Sequence, residues 1–157
     1  MAIVEIVELP NFLPKRARLL GLDLGSKSIG LAISDSLLHI ASPLLTIQRK
    51  KFTADATALK QIIDERHIGA LILGLPKNMD GSEGRRAQST RQFAENLLQK
   101  FDIPIAFWDE RLSTVAVERV LIDEADLSRR KRANVVDKMA ASYILQGALD
   151  RLAPIIA

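Results

Sequence analysis

Hydrophobic and polar positions alternate along the first third of the chain with the period of β-strands. Short apolar runs separated by turn residues predict three strands in quick succession, and the few residues between the first two suit a hairpin. From residue 53 onward, apolar residues recur at helical spacing, and continuous apolar runs alternate with these helices. The predicted strands cover residues 19–24, 29–35, 42–47, 69–73 and 103–108, and the predicted helices cover residues 53–66, 86–100, 113–124 and 133–152.

This order of elements predicts an α/β fold. Three antiparallel strands followed by alternating helices and strands should form a five-stranded mixed sheet with helices on both faces. Pro104, at the start of the last strand, indicates that this strand lies at an edge of the sheet. We expect a loosely packed leader over residues 1–18, a single domain over residues 19–152 and a short tail over residues 153–157.

Composition narrows the range of functions only slightly. The chain has 157 residues, a formal net charge of +3 and a pI of about 9.4, which permits a polyanionic partner without requiring one. It contains no cysteine, so disulfides and thiolate metal sites are excluded. No apolar run has the length of a membrane helix, and Glu5 and Glu8 are unlike the basic start of a signal peptide. We therefore expect a cytoplasmic protein with no membrane partner.

Three acidic residues lie inside or at the end of apolar runs. Asp23 is in the first strand, Glu110 follows the last strand, and Asp137 is in the final helix. A carboxylate in such surroundings is costly unless its charge is compensated. Three converging carboxylates would hold a cation, and oxygen-only ligands favour Mg²⁺ or Mn²⁺. In a basic chain, this combination indicates metal-dependent hydrolysis of phosphodiesters, with Asp23 bridging two metals and the other two acids flanking it.

Asp23 and Glu110 each have a structural interpretation as well. Asp23 suits the opening of a tight turn, where its carboxylate would accept hydrogen bonds from nearby N–H groups. Glu110 and Asp109 suit a solvated acidic pair before a helix, whose dipole favours negative charge at that end. Strand alternation allows only one of these two neighbours into a shared site, so Asp109 stays an alternative metal ligand to Glu110.

Asp137 lies on the helical stripe that should pack against the sheet. It shares this stripe with Ala141 and Ile144, by steps of four and three residues. A carboxylate there should be paired, protonated or bound to a metal. The structural interpretation is a buried salt bridge, with Lys138 or Arg111 as the partner.

Four segments of the chain, in this order, resemble the YqgF/RuvX family of RNase H-like nucleases, bacterial relatives of the Holliday-junction resolvases. The resemblance covers roughly residues 19–152 and implies an RNase H-like fold, a divalent metal and a role in maturing the 5′ end of 16S ribosomal RNA. Asp23, Glu110 and Asp137 match the presumed catalytic acids of that family by position. Ser28 is a departure, because a basic residue or Thr is expected beside Lys27. The matching segments are GLDLGSKSIGLAISD (21–35), LGLPKNMDG (73–81), WDERLST (108–114) and DKMAASYILQ (137–146).

Basic residues near these segments are candidates for holding nucleic acid. Arginines at the start of a helix suit a phosphate, and the charge run before the final helix could follow a nucleic-acid backbone. A solvated basic surface explains the same residues almost equally well. Aromatic residues are scarce, so recognition by shape and backbone is favoured over base stacking. The candidates are Lys27, Arg85, Arg86, Arg91, Arg111, Arg129, Arg130, Lys131 and Arg132.

The sequence therefore favours a two-metal nuclease, and the resemblance favours structured RNA as its substrate. A resolvase acting on branched DNA is the first alternative, and a catalytically weak binding protein associated with ribosomes or transcription is the second. A sugar-kinase-like phosphotransferase would need a second large domain, which this chain lacks. We expect a monomer or a weak homodimer.

Overall fold

The secondary structure follows the predicted order of strands and helices. A computed structural model of the chain describes residues 3–112 and 129–156, and it describes the side chains of these residues except over 129–137. The predicted helix over residues 113–124 lies outside the described residues. The elements are β1 (Arg18–Leu24), β2 (Ser28–Ser34), β3 (Ala41–Gln48), α1 (Phe52–Glu65), β4 (Ile68–Leu75), α2 (Arg85–Leu98), β5 (Ile105–Asp109) and α3 (Arg129–Ile156).

The five strands form one mixed sheet in the order β3-β2-β1-β4-β5. β1 pairs antiparallel with β2 and parallel with β4, β2 pairs antiparallel with β3, and β4 pairs parallel with β5. The predicted α/β fold with antiparallel first strands is thus confirmed. Both edges carry a proline at or beside the strand, as expected where a ladder hydrogen bond can be lost. Pro43 sits at a register shift in β3, and Pro104 directly precedes β5.

Helices cover both faces of the sheet because side chains alternate between the faces along each strand. On one face, Leu20 and Leu22 of β1 belong to a core with residues of α1 and α2. On the other face, Leu19 belongs to a second core that α3 closes, with Ile144 and Leu145 fully buried. We call these the α1/α2 face and the α3 face. β1, β4 and β5 run parallel, so their C-terminal ends lie at the same end of the sheet. We call this end the carboxyl edge, as distinct from the outer strands β3 and β5.

The leader and the final helix differ from their expected outlines. A 3-10 helix forms over Ile6–Asn11, and its Leu9 is fully buried in the core beneath α3. The backbone N–H of Val4 donates to the carbonyl of Ile105 over 2.8 Å, so this segment also lies along the β5 edge. α3 begins at residue 129 and ends at residue 156, beyond the predicted helix at both ends. The division of the chain into leader, domain and tail stays a prediction.

Among the described residues, no helix is both long enough and apolar enough to cross a membrane.

Candidate active site

Asp23 lies one residue before the end of β1 and is only 3% exposed. Its neighbours Leu22 and Leu24 contribute to the α1/α2 face, so alternation directs Asp23 to the α3 face. Its Cα partner across the hairpin is Gly30, which has no side chain to fill the space beside it. Asp23 therefore lies near the end of the first strand, on a face where the neighbouring strand leaves space beside it.

Two glycines let α3 and Glu110 come close to the sheet beside Asp23. At Gly21, a Cβ atom would lie 2.8 Å from Leu145 Cβ and 3.0 Å from the Ala141 backbone oxygen. At Gly74, a Cβ atom would collide with Ile144 Cδ1 and would lie 2.6 Å from Glu110 Oε1. Any larger residue would therefore displace the helix or the carboxylate.

Gly74 also relates the position of Glu110 to that of Asp23. The parallel register pairs Leu22 with Leu73, so Asp23 and Gly74 are the next residues on adjacent strands. Glu110 Oε1 lies over Gly74 together with the Ile144 side chain, which belongs to the core of the α3 face. The structure thus brings two of the three predicted acids to the same face of the sheet, at its carboxyl edge.

Asp109 is held differently from its neighbour Glu110. Arg111 Nε donates to both Asp109 carboxylate oxygens over 3.1 Å, and Arg111 Nη2 donates to Oδ2 over 2.7 Å. The Arg111 backbone N–H adds a 3.0 Å bond to Oδ1. These hydrogen bonds, above all those of the side chain, hold the pKa of Asp109 below its ordinary value of 3.8. Asp109 is therefore a charged partner of Arg111, while Glu110 is the residue that reaches the glycine of β4.

Asp137 belongs to α3, but its side chain lies outside the described residues. The same holds for Arg129, Arg130, Lys131 and Arg132. Within the described part of the chain, no group of three His, Cys, Asp or Glu residues could hold a metal ion. Asp23 and Glu110 are thus two described members of a predicted set of three.

Two of the predicted nucleic-acid-binding arginines are ion-paired. Arg91 donates to both oxygens of Glu83, over 2.6 and 2.7 Å, and its guanidinium lies 4.9 Å from the centre of the Phe107 ring. This bond to Arg91 holds the pKa of Glu83 below its ordinary value of 4.5. Arg111 forms an ion pair with Asp109 and also donates to the Met79 carbonyl over 3.3 Å. Both arginines thus contact the segment after β4. Because each is already paired with a carboxylate, it would bind a phosphate less strongly than an unpaired arginine would.

A cavity of about 450 Å³ opens at the carboxyl edge on the α1/α2 face. The exposed Arg85 and Arg86, two of the predicted nucleic-acid-binding residues, line it together with Arg49, which was not predicted from the sequence. Arg49 follows β3, whose last residue Gln48 pairs with Ser28 at the start of β2. The antiparallel register of the first three strands therefore carries Arg49 to the β1–β2 hairpin, and that register was the available signal.

The sequence matches the RuvX family, described as Holliday junction resolvase, over residues 17–151. The chain belongs to the RuvX family. This confirms the resemblance on which the RNA prediction rested.

Curated relatives of this RuvX chain are close in sequence and in length. A protein of Cereibacter sphaeroides is 63% identical over 140 residues, covering 89% of this chain and 87% of the relative. A protein of Phenylobacterium zucineum is 56% identical over 153 residues, covering 97% and 98%. Both carry the name "Putative pre-16S rRNA nuclease".

Solved structures support the predicted fold. Thermus thermophilus RuvC in complex with a Holliday junction substrate superposes with a TM-score of 0.53 at 9% sequence identity, covering 87% of this chain and 96% of RuvC. A second structure of the same RuvC gives a TM-score of 0.51 at 10% identity. The RuvX chain therefore has the RNase H-like fold of RuvC.

Proposed function

We propose that this RuvX protein is a metal-dependent nuclease that hydrolyses phosphodiester bonds in structured RNA and processes the 5′ end of the 16S ribosomal RNA precursor. The name of its curated relatives supports the reaction and the substrate. The proposed substrate implies a cytoplasmic setting, and we propose that the protein acts as a monomer or weak homodimer.

One observation carries the proposal: Asp23 and Glu110 lie on the same face of the sheet, because Glu110 reaches from the end of β5 over Gly74 of β4, the strand beside Asp23. Asp23 is 3% exposed, and Glu110 Oε1 lies where a side chain at Gly74 would have been. Placing a half-buried carboxylate near a buried one is unfavourable unless positive charge compensates them. A fold that leaves out the Gly74 side chain and brings an acid into its place supports a catalytic role for these acids.

The donor set at this face fits Mg²⁺ or Mn²⁺. Asp23 and Glu110 offer only carboxylate oxygens, which these hard cations prefer. Asp23 and Glu110 would hold the metal, with Asp137 as the proposed third ligand. The bound ions would supply Lewis-acid stabilisation of the charge that develops on the phosphate, in a two-metal arrangement.

Residues around the acids keep them in position and limit the water that reaches them. Ile144 packs over Gly74 beside Glu110, and the backbone of Ala141 lies against Gly21, so α3 covers the strand ends from above. Arg111 holds Asp109 away from this arrangement through its paired hydrogen bonds. We therefore propose Glu110 as the ligand and keep Asp109 as the alternative.

Resolution of Holliday junctions is the second candidate function. The description of the RuvX family favours it, because the matching family is described as Holliday junction resolvase. It would require two sites, supplied by a dimer, that cut a symmetric junction. The same acids would serve both substrates, so the acid site does not discriminate between them.

A cleavage assay separates these functions from each other and from a binding protein without activity. The parent protein is incubated with a 16S precursor transcript and with four-way DNA, in Mn²⁺ and in EDTA. The matched variants are Asp23→Asn, Asp137→Asn and Asp64→Asn; Asp64 is an exposed residue of α1 that pairs with Lys60. We expect Mn²⁺-dependent cleavage of the RNA that is lost in the first two variants and kept in the third.

Other results of this assay would assign a different function. Symmetric cutting of the four-way DNA with intact RNA would favour the resolvase. Binding of RNA without any cleavage, and unchanged in Asp23→Asn, would favour the binding protein. Cleavage that survives both EDTA and Asp137→Asn would rule out the metal mechanism.

A further inference from the structure

The arginine-lined cavity lies on the opposite face of the sheet from the acids. Its walls come from the end of β1, the β1–β2 hairpin, the residue after β3 and the first turns of α2. Leu24 and Phe93 line it, and both belong to the core of the α1/α2 face. The cavity and the acid site thus share the carboxyl edge, and the end of β1 separates them.

Positive charge dominates this cavity. Of the described residues that line it, three are arginines and none is acidic. Arg49 is fixed in place, because its Nη1 donates to the Gly25 carbonyl over 2.6 Å and its guanidinium lies 5.5 Å from the centre of the Phe93 ring. Arg85 and Arg86 are exposed, and neither forms an ion pair with a described residue. Arg91 and Arg111, by contrast, are each paired with a carboxylate.

The first turn of α2 carries charge of the sign that its helix dipole disfavours. A helix N-terminus prefers acidic residues and a capping oxygen. α2 has no acidic residue in its first turn, begins with Arg85 and Arg86, and follows Gly84, which offers no side-chain cap. The arrangement is unfavourable for the free helix. A bound anion would compensate both the arginines and the uncapped N–H groups.

We propose that this cavity binds a backbone phosphate of the same nucleic-acid strand that reaches the acids. The strand would pass over the β1–β2 hairpin at the carboxyl edge, with the reacting phosphodiester at Asp23 and Glu110 and another phosphate at Arg49, Arg85 and Arg86. Guanidinium groups suit this role, because they donate paired hydrogen bonds to phosphate oxygens. The inference rests on the proposed function only in taking a nucleic-acid strand as the substrate.

Binding of a labelled RNA hairpin with a single-stranded 5′ extension, measured by fluorescence anisotropy in EDTA, tests this inference. The variant Arg85→Gln/Arg86→Gln should raise Kd by about tenfold or more, since charge-assisted contacts to phosphate are lost. The slope of log K against log salt should fall by about 0.7 for each lost contact to single-stranded RNA. Arg49→Lys keeps the charge but loses the guanidinium, so it should raise Kd by a smaller factor.

The matched control is Arg66→Gln/Lys100→Gln, which removes the same charge from exposed positions at the other edge of the sheet. Arg66 directly follows α1 and Lys100 follows α2, both shortly before a parallel strand begins. The control should leave Kd within about twofold of the parent, because screening weakens charges at that distance. Equal losses of affinity in the control and in Arg85→Gln/Arg86→Gln would overturn the inference, since net charge alone would explain them.

Two further measurements keep the result interpretable. The thermal unfolding midpoint of each variant shows that it is folded, and removing Arg85 and Arg86 should not lower it. Competition with AMP and inorganic phosphate separates a strand from a free ligand: tight, Arg85- and Arg86-dependent binding of AMP, equal to that of the hairpin, would overturn the strand assignment. The assay contains no cleavage step, so absence of nuclease activity would leave its outcome unaffected.

Discussion

At the carboxyl edge, the two faces of the sheet carry charges of opposite sign and differ in how closely the helices pack against the strands. On the α3 face, Asp23 and Glu110 lie where glycines bring helix and sheet so close that a Cβ atom at Gly74 would not fit. On the α1/α2 face, three arginines line an open cavity. An arginine beside a carboxylate neutralises it, as Arg111 does with Asp109. The sheet thus separates these two acids from these three arginines, and the two proposed roles, metal binding and phosphate binding, fall on opposite faces.

Replacing Asp23 should have the largest effect on cleavage while leaving the arginine cavity unchanged. Asp23→Asn removes the charge that the proposed metal site requires, and cleavage of the RNA should fall by at least about a thousandfold, as loss of several kcal/mol of charge stabilisation implies. RNA affinity in EDTA should change little, because the arginine cavity is intact. Initial rates and anisotropy on the same RNA measure both quantities. Equal loss of binding and cleavage would contradict the separation of the two faces.

The neighbouring acids Glu110 and Asp109 should differ in their effects on cleavage. Glu110→Gln should slow it by at least about a hundredfold through loss of charge at the metal. Asp109→Asn should slow it by less than about tenfold, because it mainly breaks an ion pair with Arg111 near the surface. Single-turnover rates on the RNA give both ratios. The reverse order would make Asp109 the ligand in place of Glu110.

Filling the space over Gly74 tests the packing on the α3 face. Gly74→Ala places a Cβ atom against Ile144 and Glu110, so we expect a loss of about 1–3 kcal/mol in the free energy of unfolding. Cleavage should fall by about 10- to 100-fold through displacement of the carboxylate. Urea unfolding and cleavage rates check the two effects.

Gly84→Ala is the matched control for this substitution. A Cβ atom at Gly84 would be 3.7 Å from its nearest neighbour, Asn78 Nδ2, which is an ordinary contact. Stability should fall by less than about 1 kcal/mol, because Ala is a poorer N-cap residue than Gly, and cleavage should fall by much less than in Gly74→Ala. A Gly74→Ala protein that kept both near those of the parent would show that the close approach over β4 does not position Glu110.

Acid pH should weaken the ion pairs around the segment after β4, and this is the smallest expected effect. The folded-state pKa of Glu83 is below its ordinary value of 4.5, so the unfolded chain binds more protons near that pH. The contribution is present above pH 4.5 and is lost as the pH falls through the folded-state pKa. Arg91→Gln should therefore be less stable than the parent at neutral pH, and this difference in stability should shrink in acid. A difference independent of pH would assign the effect to the contact of Arg91 with Phe107.

Local patterns were sufficient to predict most of the fold. Alternation and apolar runs predicted each of the five strands and placed Asp23 in the first of them, because each strand depends on the period of a single element. The 3-10 helix over Ile6–Asn11 was not predicted, since its apolar positions also fit a short strand.

The site was harder to predict because it depends on contacts between distant segments. Strand alternation could not choose between Asp109 and Glu110. The choice depends on how Arg111 folds back onto Asp109 and on which glycine of β4 leaves space. Arg49 was not predicted, because its place beside the β1–β2 hairpin depends on the register of β3 against β2, which its surrounding sequence does not contain. The positions of Glu110 and Arg49 thus depend on how distant segments pair, which the local sequence pattern does not contain.

Anomalous diffraction from crystals of the protein soaked in Mn²⁺ would show whether Asp23 and Glu110 bind a metal together. We expect a manganese peak on the α3 face within coordination distance of carboxylate oxygens of both residues, and loss of that peak in Asp23→Asn. A protein that cleaves RNA in Mn²⁺ but shows no peak there, or binds Mn²⁺ only through other residues, would contradict this expectation.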